Sequence, residues 1–166
     1  MSLMTYGYLV GQKSGQIKGS ITQKGREESI GVIAISHSIV SPRDPQSGLP
    51  TGQRLHKPFV FTKEVDKATP ALFNVLCTNE NLSSATFKFW QPQIKATTGV
   101  GSEVQFFTVK LTNANIASID FRQPNIRNPE TMKLAEYEEI SLTYQKIEWT
   151  WTDGGVVASD DWQARV

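Results

Sequence analysis

The chain has a single cysteine, Cys77, among 166 residues. An intrachain disulfide is therefore excluded, and nothing ties stability to an oxidising compartment. Histidine is scarce too: His37 and His56 are the only two. One thiol and two imidazoles do not readily supply the four ligands of a structural zinc site, so no metal is expected. Neither sign of charge dominates, with 17 Lys and Arg against 16 Asp and Glu. That balance argues against nucleic acid as a partner, because phosphate binding rests on clustered cations. It also does little to keep copies of the chain apart. No apolar run approaches the length of a bilayer span, so membrane insertion is not expected. Residues 1–6 show no basic stretch followed by an apolar one, which argues against a cleaved secretory signal.

What is present is alternation. Hydrophobic residues make up 39% of the chain and charged residues 20%, the composition of a soluble globular protein. The length suits one domain over residues 1–166. Residues 29–40 read SIGVIAISHSIV. Taken as one strand, they put Gly31, Ile33, Ile35, His37 and Ile39 on one face. Ile30, Val32, Ala34, Ser36, Ser38 and Val40 fall on the other. Further strands are predicted over 53–63, 85–91, 103–111, 115–121, 139–152 and 156–162. Aromatic and β-branched residues fill these runs, as a half-buried pleated surface prefers. Asp153-Gly154-Gly155 suits a tight hairpin, and Gly99-Val100-Gly101 closes a longer one that contains Pro92. One helix is predicted after Asp66-Lys67-Ala68-Thr69-Pro70. Thr69 is placed at its cap, Pro70 at its first position, and Leu72, Phe73 and Leu76 on its buried stripe beside a buried Cys77. Asn79 or Asn81 ends it. Residues 41–52 and 122–135 lack any period and are rich in proline, so both are predicted to be loops. The fold class is all-β with one flanking α-helix: two packed antiparallel sheets forming a barrel or sandwich.

A catalytic set is hard to assemble. His37 lies between Ser36 and Ser38, whose hydroxyls fall on the opposite face of a strand, so a structural role is the better reading. His56 reads as a surface or loop-edge residue. Cys77 falls near a helix C-terminus, where the dipole disfavours a thiolate, and reads as a small buried hydrophobe. Asp153, Asp160 and Asp161 suit a turn and a solvated end, without the spacing of a calcium loop. Glu136, Glu138 and Glu139 open a strand, and no partner for a paired-carboxylate mechanism is identifiable. The Gly-Val-Gly run lacks the rest of a dinucleotide fingerprint and a following helix, so no cofactor is expected. Phe87 and Phe89 could stack bases, but alternating aromatics are equally what a barrel core shows. Without catalytic chemistry, self-assembly through paired sheet edges is the leading reading. A monomeric β-barrel binding module for nucleic acid or a small ligand is the alternative, and a hydrolase with an unrecognised site is a third.

Four motifs carry a resemblance. Gln16-Ile17-Lys18-Gly19-Ser20, the run HKPFVFTK from His56 to Lys63, Asp66-Lys67-Ala68-Thr69-Pro70 and Ile147-Glu148-Trp149-Thr150-Trp151 resemble the Hcp family, the haemolysin-coregulated tube proteins of bacterial type VI secretion. The block HKPFVFTKEVDKATP is the specific part. The likeness runs in order from about Tyr6 to Trp162. It implies a fold similar to phage tail-tube subunits and a homo-hexameric ring around a wide pore. It implies rings stacked into a tube inside a contractile sheath, tipped by a VgrG-like spike protein. Contraction would drive the tube out, so the protein would be cytoplasmic before firing and secreted without a signal peptide. Effector proteins would be held in the pore. Some members carry a C-terminal toxin domain, for which this chain leaves no room after Trp162.

The family's extended loop corresponds here to Ser41, Pro42, Arg43, Asp44, Pro45, Gln46, Ser47, Gly48, Leu49, Pro50, Thr51, Gly52, Gln53, Arg54 and Leu55. The resemblance implies that it contacts neighbouring subunits, and its prolines would limit the entropy lost on docking. Ala34, Ser36 and Ser38 form a face of small residues that suits a pore lining for cargo. Close packing against another sheet would suit them equally.

Overall fold

In the computed structural model, which describes residues 2–93 and 102–162, eleven strands and one helix follow one another. They are β1 (Thr5–Gly11), β2 (Gly15–Ile17), β3 (Ile30–Val32), β4 (Ala34–Ser36), β5 (Ile39–Val40), β6 (Leu55–His56), β7 (Phe59–Glu64), α1 (Thr69–Cys77), β8 (Leu82–Gln93), β9 (Ser102–Arg122), β10 (Tyr137–Trp151) and β11 (Val156–Asp161). They form two antiparallel sheets. The larger runs β2-β1-β8-β9-β10-β7-β4, with β3 on β1 and β11 on β10; β5 and β6 make the smaller. The expected class, β-rich with one flanking helix, is the observed one.

The closure of the larger sheet comes from a strand that changes partners. β3 pairs with β1, through Thr5↔Val32 and Gly7↔Ile30. β4, one residue further on, pairs with β7 through Ala34↔Thr62 and Ser36↔Val60. Residues 30–36 thus join the two ends of the sheet into a barrel, which removes the long free edges an open sheet would expose. The single strand expected over 29–40 is therefore three pieces. Ile30 and Val32 are buried, Ile33 is 52% exposed, and beyond it Ile35 takes the inward position. The inward parity flips at Ile33, so the two expected faces hold for only half of the run each. The strand expected over 53–63 is likewise broken at Lys57-Pro58, since proline cannot donate to a ladder.

The opposite correction applies to β9. Two strands were expected over 103–111 and 115–121; one 21-residue strand runs through. Val109 and Leu111 point inward, then Ala114 and Ile116 do. Asn113, at φ 51°, absorbs the change of phase without ending the strand. Asparagine tolerates this left-handed conformation better than most residues. The 153–155 turn forms as expected, with Gly154 and Gly155 at φ 81° and 64°. The Gly99-Val100-Gly101 turn lies outside the described residues, although its flanks pair at Gln93↔Ser102.

Phe59, Phe61, Phe87, Leu9, Ile30, Leu72, Leu82, Leu111, Ile140, Leu142 and Ile147 are fully buried. The Phe87 ring centroid lies 4.7 Å from that of Phe59 and 5.1 Å from that of Phe61. Helix α1 covers part of this core with Leu72 and Val75 buried and Ala71 and Leu76 packed beside them. Cys77 is exposed, contrary to expectation, because it falls off that stripe. Thr69 does not cap the helix. Ala68 holds the cap position without a side-chain bond, and the Thr69 hydroxyl turns inward to donate to Glu138 Oε1 at 2.9 Å. Asn79, at φ 58°, ends the helix as expected, and Asn79 N and Glu80 N donate to the Leu76 and Val75 carbonyls.

Candidate assembly site

Residues 41–55 form a hydrogen-bonded ribbon, where the sequence suggested only an irregular loop. Its base is the β5–β6 pair, Ile39↔His56 and Val40↔Leu55, closed by Lys57 N donating to Ser38 O at 3.1 Å. Further out, Arg43 and Pro50 form a bridge, and Thr51 N donates to Pro42 O at 3.0 Å. At the tip, Asp44 organises the turn. Asp44 N donates to Leu49 O and Gly48 N to Asp44 O, with Gly48 at φ 71°. The Asp44 carboxylate accepts from Gln46 N at 3.1 Å and from Ser47 Oγ at 2.7 Å. The Ser47 bond, then the Gln46 bond, hold that carboxyl below its ordinary range. Three prolines and an aspartate that bonds its own turn explain why the segment folds without a periodic pattern.

Every residue from Ser41 to Leu55 is exposed except Pro42 and Asp44, which are half-buried. The exposed set includes apolar side chains: Leu49 at 65% and Leu55 at 52%, with Ile39 and Val40 beside them at the base. The second aperiodic segment, between β9 and β10, also turns apolar groups outward, with Ile126, Met132 and Leu134 more than half exposed. Such a set of uncovered apolar residues on ordered backbone suits contact with another protein surface.

Ala34 and Ser36 lie on β4, and Ser38 just past it; all three are exposed. Ile35, between the first two, faces the core.

The ribbon is tied to the barrel by side chains that sequence reading placed elsewhere. His56 is buried, not at the surface, and its Nδ1 lies 2.7 Å from the Tyr144 hydroxyl. His37 falls between β4 and β5 instead of mid-strand, and its Nε2 lies 2.7 Å from the same hydroxyl. His56 Nε2 is 2.7 Å from Asp160 Oδ2. Arg54 donates to that carboxylate twice, from Nε at 2.5 Å and Nη2 at 2.7 Å. Asp160 is therefore a partner of the ribbon and not part of a solvated end. The Arg54 bonds, ahead of those from His56, hold its carboxyl below the ordinary range. Burial, then the Asp160 charge, pushes the Tyr144 phenol far up. Burial, then His56, pushes His37 down. Tyr144 carried no signal in the sequence, because nothing in a strand pattern shows which tyrosine meets two histidines.

Among the described residues no group of His, Cys, Asp or Glu is arranged to hold a metal ion. Glu138 is consumed by a buried ion pair with Lys63 at 2.6 Å. No helix among those residues is long and apolar enough to cross a membrane.

Comparison with known proteins bears on the family and the fold. Residues 8–151 match the family described as "Type VI secretion system effector, Hcp". The "Major exported protein" of Pseudomonas aeruginosa is 34% identical over 175 residues, covering 100% of this chain and 99% of that protein. A double mutant of the Hcp1 protein from E. coli EAEC 042 superposes with a TM-score of 0.81 at 34% identity, over 97% of this chain and 99% of that one. A crystal structure of an Hcp protein gives 0.85 at 31% identity, over 98% and 99%. The chain belongs to the Hcp family of type VI secretion proteins.

Proposed function

We propose that this protein is a non-catalytic subunit of a secreted tube. Six copies join side by side into a ring, rings stack, and contraction of a surrounding sheath drives the stack out behind a VgrG-like spike. The ribbon carries this reading: it is internally ordered, yet its apolar residues face solvent in the lone chain. Burying apolar surface contributes roughly 25 cal/mol per Å², so a neighbouring copy that covers Leu49, Leu55, Ile39 and Val40 gains stability. Because the ribbon is already hydrogen-bonded, little ordering entropy opposes docking. Light scattering after size exclusion, with negative-stain imaging, tests the proposal. Annular particles of six subunits are expected, and a strict monomer at high concentration would overturn it.

Deleting residues 42–51 removes the tip and spares the barrel strands. Circular dichroism of the deletion variant should stay β-rich. Ring association should weaken by about tenfold or more, which needs a loss of only about 1.4 kcal/mol. A variant that unfolds, or one that assembles as before, contradicts the proposed role of the ribbon.

Ala34, Ser36 and Ser38 are proposed to line the pore and to hold effector proteins there. Their exposure supports this, as does their small size, which suits many cargoes. Ser36→Gln places a longer polar chain on that face. Rings should persist while the amount of protected cargo in cells falls; unchanged cargo levels would move the lining to another face.

A further inference from the structure

Both histidines direct a ring nitrogen at one hydroxyl. His37 Nε2 and His56 Nδ1 each stand 2.7 Å from the Tyr144 oxygen. His37 precedes the first leg of the ribbon, His56 and Arg54 belong to its second leg, and Tyr144 and Asp160 sit on β10 and β11 of the barrel wall. The row His37–Tyr144–His56–Asp160–Arg54 therefore fastens both legs to the barrel at one point.

Counting hydrogens shows what this row can hold. A phenol has one hydrogen to donate. With both rings neutral, His56 Nε2–H donates to Asp160 and leaves Nδ1 bare. Tyr144 donates to that Nδ1 and accepts from His37 Nε2–H. Every group is satisfied. One added proton also fits. On His37 it changes nothing in the row. On His56 it reverses the direction, so that His56 donates to Tyr144 and Tyr144 donates to a bare His37 Nε2. Two added protons do not fit. Both rings then donate to the same oxygen, the phenol hydrogen is left without either ring, and two cations flank one atom.

We propose that this row is a proton-operated latch, which holds the ribbon on the barrel while at most one histidine is charged and releases the His37 leg when the second one charges. The latch concerns the ribbon's own attachment and does not depend on what the ribbon docks against.

The surrounding groups leave few other candidates for such a response. Arg54, His56 and neighbouring Lys57 come from the second leg, Tyr144 from β10 and Asp160 from β11. The Asp161 backbone carbonyl accepts from Arg54 Nη2 at 3.3 Å, and its carboxylate accepts from Gln145 Nε2 at 3.2 Å. Phe59 of β7 and Trp162 contribute uncharged rings, 5.4 Å from His37 and 5.6 Å from His56. Asn113 of β9 is uncharged as well. His37 titrates below the ordinary histidine range, first through burial and then through the charge on His56. A released His37 binds its proton more readily, so with His56 already charged the latched form loses ground as pH falls below about 6.5 and continues to lose it down to the lowered value of His37 in the latched form. Asp160 is held low by its Arg54 bonds and keeps its charge through that window.

Hydrogen exchange of the full chain, corrected for intrinsic rates, tests the latch in the peptide spanning residues 38–57. Light scattering at each pH establishes that samples of equal oligomeric state are compared, so release is read apart from assembly. Protection there should fall by about tenfold or more between about pH 7.5 and about pH 5, while β8–β10 stay protected. His37→Gln keeps an uncharged donor toward Tyr144 and should hold the ribbon at the lower pH. Tyr144→Phe should release it at both. Equal protection in the parent at the two pH values would overturn the latch, as would a His37→Gln profile that follows the parent's.

Discussion

Replacing Lys63 with methionine should destabilise the fold by about 3–5 kcal/mol, the usual effect of leaving a buried charge without its partner. Lys63 and Glu138 side chains are both fully buried, and Lys63 Nζ lies 2.6 Å from Glu138 Oε1. Nζ also reaches Asp66 Oδ1 at 2.8 Å, Thr69 Oγ1 at 3.0 Å and the Glu64 carbonyl at 3.1 Å. Glu138 has less to fall back on. Its Oε1 also accepts from Thr69, and its Oε2 has no hydrogen-bond partner among the described residues. Methionine is an unbranched chain one atom shorter than lysine, so it keeps most of the packing but removes the charge that compensates the carboxylate. The second substitution Glu138→Leu should then recover most of the loss, because an apolar pair of similar volume often serves as well as a buried ion pair. Urea unfolding of the two single variants and the double variant measures the coupling directly. If Lys63→Met unfolds at the parent midpoint, the ion pair holds nothing; if the double variant is as weak as the single one, packing and not charge is the cause.

This knot explains the run that made the sequence legible. In HKPFVFTKEVDKATP, His56 joins the tyrosine row, Phe59 and Phe61 fill the core, and Lys63 continues the same inward row of β7. Asp66 accepts from Lys63 and from Ala68 N at 2.9 Å, and Thr69 links Lys63 to Glu138. The block therefore binds three elements at once: β7, the start of α1, and β10. Its polar side chains His56, Lys63, Asp66 and Thr69 each answer a specific contact, which gives the block a more particular pattern than the alternating apolar residues of the other strands.

The alternating patterns showed that the chain is β-rich, and Pro70 with Asn79 bracketed the helix. Three things stayed hidden for a common reason. The break at Ile33, the continuity of β9 through Asn113, and the folded ribbon all depend on partners distant in sequence. A parity flip inside an apolar run looks like a continuing strand at Ile33 and like a turn at Asn113, and only the neighbouring strands decide between them. The placement of His56 failed in the same way. Beside Lys57-Pro58 it looks peripheral, yet Tyr144, 88 residues on, and Trp162, stacked on the other side, enclose it. Arg26 gave no sign at all. It is buried between the Tyr6 and Trp90 rings and paired with Glu103 at 2.6 Å, an arrangement assembled from four separated segments.

Gly19→Ala should weaken the fold by about 1–3 kcal/mol or more, the range of overpacking at a site that cannot relax. Its backbone needs no special φ; the reason is proximity. Gly19 N donates to Glu28 O at 2.8 Å, and the two chains run so close that an added Cβ would overlap the Ser29 carbonyl and stand 2.8 Å from Ile30 Cα. All of these are backbone atoms, so no side chain can turn aside to make room. Ile30 begins β3, the piece that closes the barrel on β1, and it is fully buried. Moving it disturbs closure as well as packing. Gly52→Ala provides the contrast, because nothing lies within 4 Å of the added carbon there and the site is on the exposed ribbon. That variant should melt within a degree or so of the parent, while Gly19→Ala should melt lower by roughly 2–4 °C for each kcal/mol lost. If the two alanine variants melt together, the close approach at Gly19 is softer than its geometry says, and the barrel tolerates movement at the strand that seals it.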